Sequence, residues 1–177
     1  KHDYIFTDVA ELDIADIDAI FKFMETNKIE VVINCAAYTN VDKAEDDERT
    51  ANLINRDASE NLAVACKVNN AMLIHVSTDY VFGGKSCLPL TEEQPTSPIG
   101  AYGRTKLAGE RAIQEVGCRY MIFRTSWLYS EFGNNFVKTM MRLTNERDNL
   151  NVVFDQVGTP TYAADLASTI VHIIEND

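Results

Sequence analysis

Short apolar runs alternate with longer stretches of helical periodicity along this 177-residue chain. Tyr4-Ile5-Phe6 forms a first apolar segment. It is followed by Ile17, Ile20, Phe21 and Met24, whose i, i+3, i+4, i+7 spacing predicts an amphipathic helix. Val31-Val32-Ile33 is a β-branched run suited to a strand buried on both faces. Ala58, Leu62, Ala65 and Val68 or Asn69 keep helical spacing, and Met72 to Val76 reads as a second buried strand. Gly83 to Pro98 holds three of the four prolines and predicts a surface loop. A helix is expected from Ile99 to Val116, opened by Pro98, and a strand from Tyr120 to Phe123. Phe136, Met140 and Leu143 mark a helix, Val152-Val153-Phe154 a short strand, and Leu166, Ile170 and Ile173 a last helix.

This alternation predicts an α/β fold, a Rossmann-like doubly wound parallel sheet in a single domain over residues 1–177. In such sheets ligands sit beyond the carboxyl ends of the strands, so residues just after strands are the first candidates for function.

Composition narrows the partners. The formal net charge of −11 argues against nucleic acid and anionic membrane, which need a basic surface. No apolar run approaches the roughly 18–20 residues of a membrane span, and Lys1-His2-Asp3-Tyr4 is unlike a signal peptide, so a cytoplasmic location is expected. Cys35, Cys66, Cys87 and Cys118 lie far apart without a CxxC pair. They read as small apolar fillers and a loop thiol rather than as disulfides or metal ligands. His75, inside the run from Met72 to Val76, reads as a satisfied core or strand-end histidine.

A dinucleotide-binding sheet normally carries a glycine-rich turn after its first strand, yet no glycine precedes Gly83. The start at Lys1, without Met and close to an apolar segment, makes a truncated fold the expectation. The first strand, glycine turn and helix would then lie upstream.

Tyr102 and Lys106 stand four apart in a predicted helix, so both project from one face. A phenol with a pKa near 10 is a poor acid at neutral pH, and an adjacent ammonium lowers that value. Alone, this pair is weak evidence, because Tyr and Lys four apart are common on solvated helices. Ser77-Thr78-Asp79 at the end of the run from Met72 to Val76 adds hydroxyls able to bond a carbonyl while Tyr102 protonates the developing alkoxide. The plainer reading of Ser77 and Thr78 is a strand-end turn.

Strand-end Ser/Thr followed by Tyr-x-x-x-Lys resembles the short-chain dehydrogenase/reductase superfamily. Asn34-Cys35-Ala36-Ala37-Tyr38-Thr39, Ser77-Thr78-Asp79-Tyr80-Val81-Phe82, Tyr102-Gly103-Arg104-Thr105-Lys106, Arg124-Thr125-Ser126-Trp127 and Asp155-Gln156-Val157-Gly158-Thr159-Pro160 more closely resemble the dTDP-4-dehydrorhamnose reductase family. The likeness runs from about Thr7 to the end. It departs from that family in lacking the glycine-rich turn and most of the C-terminal region that closes over the sugar nucleotide.

The resemblance implies reduction of the C4 keto group of dTDP-4-dehydro-L-rhamnose with NADPH or NADH. It implies Thr78, Tyr102 and Lys106 as catalytic residues, and Asp13, Ile14, Ala36, Ala37, Thr39, Tyr102 and Lys106 as the cofactor contacts. Thr78, Asp79, Tyr80 and Trp127 are the implied substrate contacts, with Val41 and Asn134-Asn135 as weaker candidates. A helix cap competes as the role of Asp13, tight packing as that of Ala36 and Ala37, a core position as that of Trp127, and a helix-start turn as that of the asparagine pair. Family members also allow Mg2+ dependence and a homodimer in the full-length parent, although no metal-ligand set is located.

Two other functions compete. Sugar-nucleotide dehydratases carry Glu where Tyr80 stands, so water elimination lacks its acid here, and an epimerase is the remaining enzyme alternative. A reductase-like interaction subunit without activity is the alternative from another class.

Overall fold

The computed structural model describes residues 2–84 and 87–176. It divides into two compact units, Lys1–Lys85 with Leu90–Arg124 and Ser86–Pro89 with Thr125–Asp177.

In the first unit the order is α1 (Ile17–Asn27), β1 (Val31–Asn34), α2 (Val41–Asp46), α3 (Glu48–Asn52), a π-helical turn (Leu53–Asp57), α4 (Ala58–Val68), β2 (Met72–Thr78), a 3-10 turn (Asp79–Val81), α5 (Ala101–Val116) and β3 (Arg119–Thr125). β2 is the centre of a three-stranded sheet ordered β1-β2-β3. β1 pairs with it in parallel, with Val31 opposite Met72 and Asn34 opposite His75. This is the expected α/β, Rossmann-like architecture.

α1 starts where Asp16 accepts from the N–H groups of Asp18 and Ala19, and it stops at Lys28, which turns left-handed with φ 54°. Its buried Ile20 and Met24 pack with Leu62, Cys66, Leu73, Ile113 and Cys118 into the main core. Each fully buried large apolar side chain contributes about 1.5–3 kcal/mol there. Cys66 and Cys118 serve as the fillers expected, while Cys35 and Cys87 are exposed; all four are free thiols.

In the π-helical turn the Ala58 N–H donates to the Leu53 carbonyl five residues back, and the Asn55 carbonyl lies one turn before Ser59. The Ser59 hydroxyl donates to it at 2.9 Å. Gly109 of α5 lies against that same carbonyl, where a Cβ would collide with it. α5 ends at Gly117, which adopts φ 67°, a conformation that favours glycine.

The second unit contains β4 (Leu128–Tyr129), α6 (Phe136–Glu146), β5 (Thr161–Tyr162) and α7 (Ala163–Asn176). β4 and β5 pair in parallel, and the Tyr129 and Tyr162 rings stack 5.4 Å apart. α6 has no buried residue, and α7 buries only Ile170.

Two sequence expectations change. Val152-Val153-Phe154 forms no strand and is exposed, because no described strand pairs with it. Tyr4-Ile5-Phe6 is likewise exposed and outside any described sheet. Among the described residues no helix is long and apolar enough to cross a membrane.

Candidate functional site

β2 delivers Ser77 and Thr78 to its carboxyl end, and the chain then tightens into the 3-10 turn. Thr78 caps that turn by accepting from the Tyr80 N–H at 3.2 Å, and its hydroxyl donates to Asp79 Oδ1 at 3.2 Å. The helix carrying Tyr102 begins directly opposite. Glu45 of α2 accepts from the Ala101 N–H at 2.6 Å, placing a carboxylate at the positive end of α5. Gly103 lets the Tyr80 carbonyl approach α5, because a Cβ at position 103 would meet that backbone oxygen. This close approach sets Tyr102 beside the turn that carries Thr78 and Asp79. The Tyr80 ring meets the Tyr102 ring edge-on, with centroids 5.5 Å apart.

Lys106, one turn after Tyr102, is 1% exposed. Its Nζ donates to the Val76 carbonyl at 2.7 Å and lies 3.2 Å from His75 Nε2. Burial pulls its pKa down to about 8, with Glu110 and Cys35 acting against that shift. Tyr102 departs from the sequence expectation. Burial is the largest influence on its phenol and raises the pKa; Thr78 lowers it, Asp79 and Tyr80 raise it further, and Lys106 is not among the groups acting on it. The reason is orientation, since the ammonium is turned to β2. Burial also raises the Asp79 carboxyl, against the lowering by its hydrogen bonds.

Behind these residues lies a polar layer, of which the sequence anticipated only His75, as a satisfied core or strand-end histidine. His75 is fully buried, 3.1 Å from the Asn34 amide nitrogen, and its pKa is lowered to about 3, first by burial and then by Lys106. Glu110, also buried, accepts from Ser77 Oγ at 2.5 Å and from Arg124 Nη2 at 2.6 Å. Arg124 in turn covers the Phe82 ring at 5.0 Å. Asn55 accepts from the Tyr38 N–H at 2.8 Å and donates to Thr105 Oγ1 at 3.0 Å, tying the loop after β1 to α5. The polar residue types were visible, but their sequence separations of 17–50 residues gave no signal that they meet.

Other candidates take separate places. Ala36 and Thr39 are exposed and Ala37 half-buried in the loop after β1, where the Ala36 N–H donates to Asn34 Oδ1. Asp13 is exposed and accepts from the Ala15 N–H, so the cap of α1 is Asp16, not Asp13. Ile14 packs on the main core. Val41 is the first residue of α2, after its cap Asn40.

Trp127 belongs to the second unit. It is 46% exposed and adopts φ 48°, an unusual conformation for a bulky residue. Its ring lies over Gly158, where a Cβ would collide with it. Asn135 caps α6 by accepting from the Lys138 N–H, as the helix-start reading anticipated.

The model of the RmlD substrate binding domain family matches residues 1–177. The chain belongs to this family. A relative from Aggregatibacter actinomycetemcomitans, named dTDP-4-dehydrorhamnose reductase, is 42% identical over 99% of this chain and 60% of its own length. The crystal structure of a dTDP-4-dehydrorhamnose reductase from Clostridium acetobutylicum is similar with a TM-score of 0.93 and 47% identity, over 97% of this chain and 61% of that one. The Bacillus anthracis dTDP-4-dehydrorhamnose reductase, solved in complex with NADP, gives a TM-score of 0.92 and 44% identity over 96% of this chain and 60% of that one. The family member described here thus spans about 60% of the length of these relatives.

Proposed function

We propose that this chain carries the proton-transfer residues of an NADPH-dependent enzyme that reduces the C4 keto group of dTDP-4-dehydro-L-rhamnose. The observation that carries the reading is the close approach of Tyr102 on α5 to the Thr78–Tyr80 turn at the carboxyl end of β2, with buried Lys106 one turn further along α5.

The residues fit the nicotinamide end of a dinucleotide. Exposed Ala36 and Thr39 and half-buried Ala37 offer small side chains beyond the end of β1, and Tyr102 and Lys106 stand one turn apart on α5. In this reading Ala36, Ala37 and Thr39 hold the cofactor backbone, Asp13 and Ile14 flank its adenine end, and Lys106 and Tyr102 bond the nicotinamide ribose. The bound reduced nicotinamide supplies the hydride.

The rest is done by side chains. Thr78 donates to the substrate carbonyl oxygen and holds it beside Tyr102. As charge develops on that oxygen, the Tyr102 hydroxyl gives up its proton, a transfer by a positioned acid that contributes about 10²–10⁴-fold. The raised pKa of Tyr102 keeps the phenol protonated before that step. Asp79 and Tyr80 border the same hydroxyls and are assigned to the deoxysugar, as is Trp127. We place the enzyme in the cytoplasm and assign the full-length parent a homodimer.

The test is NADPH oxidation by the full-length parent with dTDP-4-dehydro-L-rhamnose. Turnover dependent on that sugar nucleotide is expected, and none would overturn the assignment. Light scattering of the same protein tests the dimer.

A further inference from the structure

The run Asp155-Gln156-Val157-Gly158-Thr159-Pro160 has no part in the proton transfer, yet it is built against Trp127. A Cβ added at Gly158 would stand 2.7 Å from Trp127 Cε2 and 3.0 Å from both Cζ2 and Nε1. The nearest ring atom has two bonded neighbours at equal, longer distances, which places position 158 over the face of the indole rather than at its rim. Carbon atoms pack at about 3.5–4.0 Å, so a methyl group there would displace the ring. Gly158 does not have a positive φ, so its backbone makes no demand for glycine; the ring above it does.

The ring is also held through its own backbone. Trp127 has φ 48°, which a bulky residue keeps only where its surroundings over-determine it. Here the segment just after Gly158 does so. The Ser126 hydroxyl donates to the Thr159 carbonyl at 2.5 Å, the Thr161 N–H donates to the Trp127 carbonyl at 3.3 Å, and β4 pairs with β5 directly beyond. All of these residues belong to the second unit. With one face on Gly158 and the residue 46% exposed, the opposite face and the rim of the indole are the parts left open.

We propose that Gly158 is a positioning residue for the sugar nucleotide, seating the Trp127 ring so that its open face receives the apolar face of the deoxysugar. The proposal rests on the reductase reading, which assigns Trp127 to that sugar. The face of an aromatic ring is apolar and carries negative charge density, so it receives C–H groups in preference to hydroxyls. A side chain at position 158 would lift the ring off this seat and spoil its contact with the sugar. Tyr102 and Lys106, in the first unit, would keep their partners.

Steady-state kinetics of the full-length parent test this with Gly158→Ala, alone and in a Trp127→Ala background. Gly158→Ala should raise KM for dTDP-4-dehydro-L-rhamnose about three- to tenfold, the range of one aromatic contact, with kcat and the KM for NADPH moving less than about twofold. In the Trp127→Ala background the same change should alter that KM by less than about twofold, because the ring through which it acts is gone. An unmoved KM, or an effect that survives without Trp127, overturns the proposal. A loss of kcat and melting temperature at unchanged KM, the mark of a purely structural role, overturns it too. Should Gly158→Ala fail to fold, NMR of the wild type bound to dTDP-L-rhamnose decides. The indole ring current should shift the Gly158 Hα and the sugar C–H resonances upfield from opposite faces, and unshifted sugar resonances overturn the proposal. Absence of turnover by the wild type would instead overturn the reductase reading itself, which separates the two failures.

Discussion

Tyr102 holds its proton in this structure because it is largely buried and because the nearest lysine looks away from it, toward β2. Replacing it with Phe keeps the ring that packs against Tyr80 and removes only the hydroxyl. Tyr102→Phe in the full-length parent should lower kcat by about 10²-fold or more with little change in thermal stability. Steady-state NADPH oxidation and a melting curve check both parts. Glu110 has a different task, since it binds Ser77 and Arg124 without touching Tyr102 or Thr78 in any described hydrogen bond. Glu110→Ala leaves Arg124, with its side chain 22% exposed, without its carboxylate. We expect a loss of about 3 kcal/mol, the lower end for breaking a buried pair, measured by urea unfolding.

His75 also makes stability depend on pH. Its folded pKa of about 3 lies below the ordinary 6.5, so the unfolded chain binds the extra proton first. This contribution is complete above the ordinary value and is lost as pH falls from 6.5 toward 3, by up to about 1.4 kcal/mol per unit. Unfolding free energies measured across that window should show a slope shallower by about this amount in His75→Gln.

At the scale of elements, the site depends on how closely α5 approaches its neighbours. Gly103 admits the Tyr80 carbonyl and Gly109 admits the Asn55 carbonyl, both backbone atoms that cannot swing aside. Gly103→Ala and Gly109→Ala should each cost about 1–3 kcal/mol by overpacking. Only the former acts on the contact that sets Thr78 against Tyr102. It should therefore lower kcat more than Gly109→Ala does, relative to the stability each loses, and paired unfolding and kinetic measurements separate the two. The helices and strands of this part were largely legible: α1, β1, α4, β2, α5 and β3 all follow the periodicity of their apolar residues. The π-helical turn was not, because the close packing of its Asn55 carbonyl against Gly109 joins residues far apart in the chain. Val152-Val153-Phe154 misled for a related reason, since β-branched composition describes a strand only when a partner strand supplies the hydrogen bonds.

Across the whole molecule, burial is unevenly distributed. Leu73, Ile74, His75, Lys106 and Glu110 are all at most 1% exposed, whereas α6 buries no residue at all. Local opening requires less energy where fewer apolar contacts are lost. Amide exchange followed by mass spectrometry should therefore find β2 and α5 protected to near the global limit. The α6 amides should exchange at least about tenfold faster, and equal protection would contradict the burial pattern.

The sequence by itself determined the alternation of strands and helices, the strand-end position of Thr78, and the one-turn spacing of Tyr102 and Lys106. These properties are local, fixed by the period of side chains along a strand or helix. Tertiary structure decided where those side chains point. It turned Lys106 to Val76 and His75, set Tyr102 against the Tyr80 turn, and placed Asn34, Glu110 and Arg124 behind them. Hydrogen-bond direction and burial depend on atoms brought together from distant parts of the chain, and no local period encodes them.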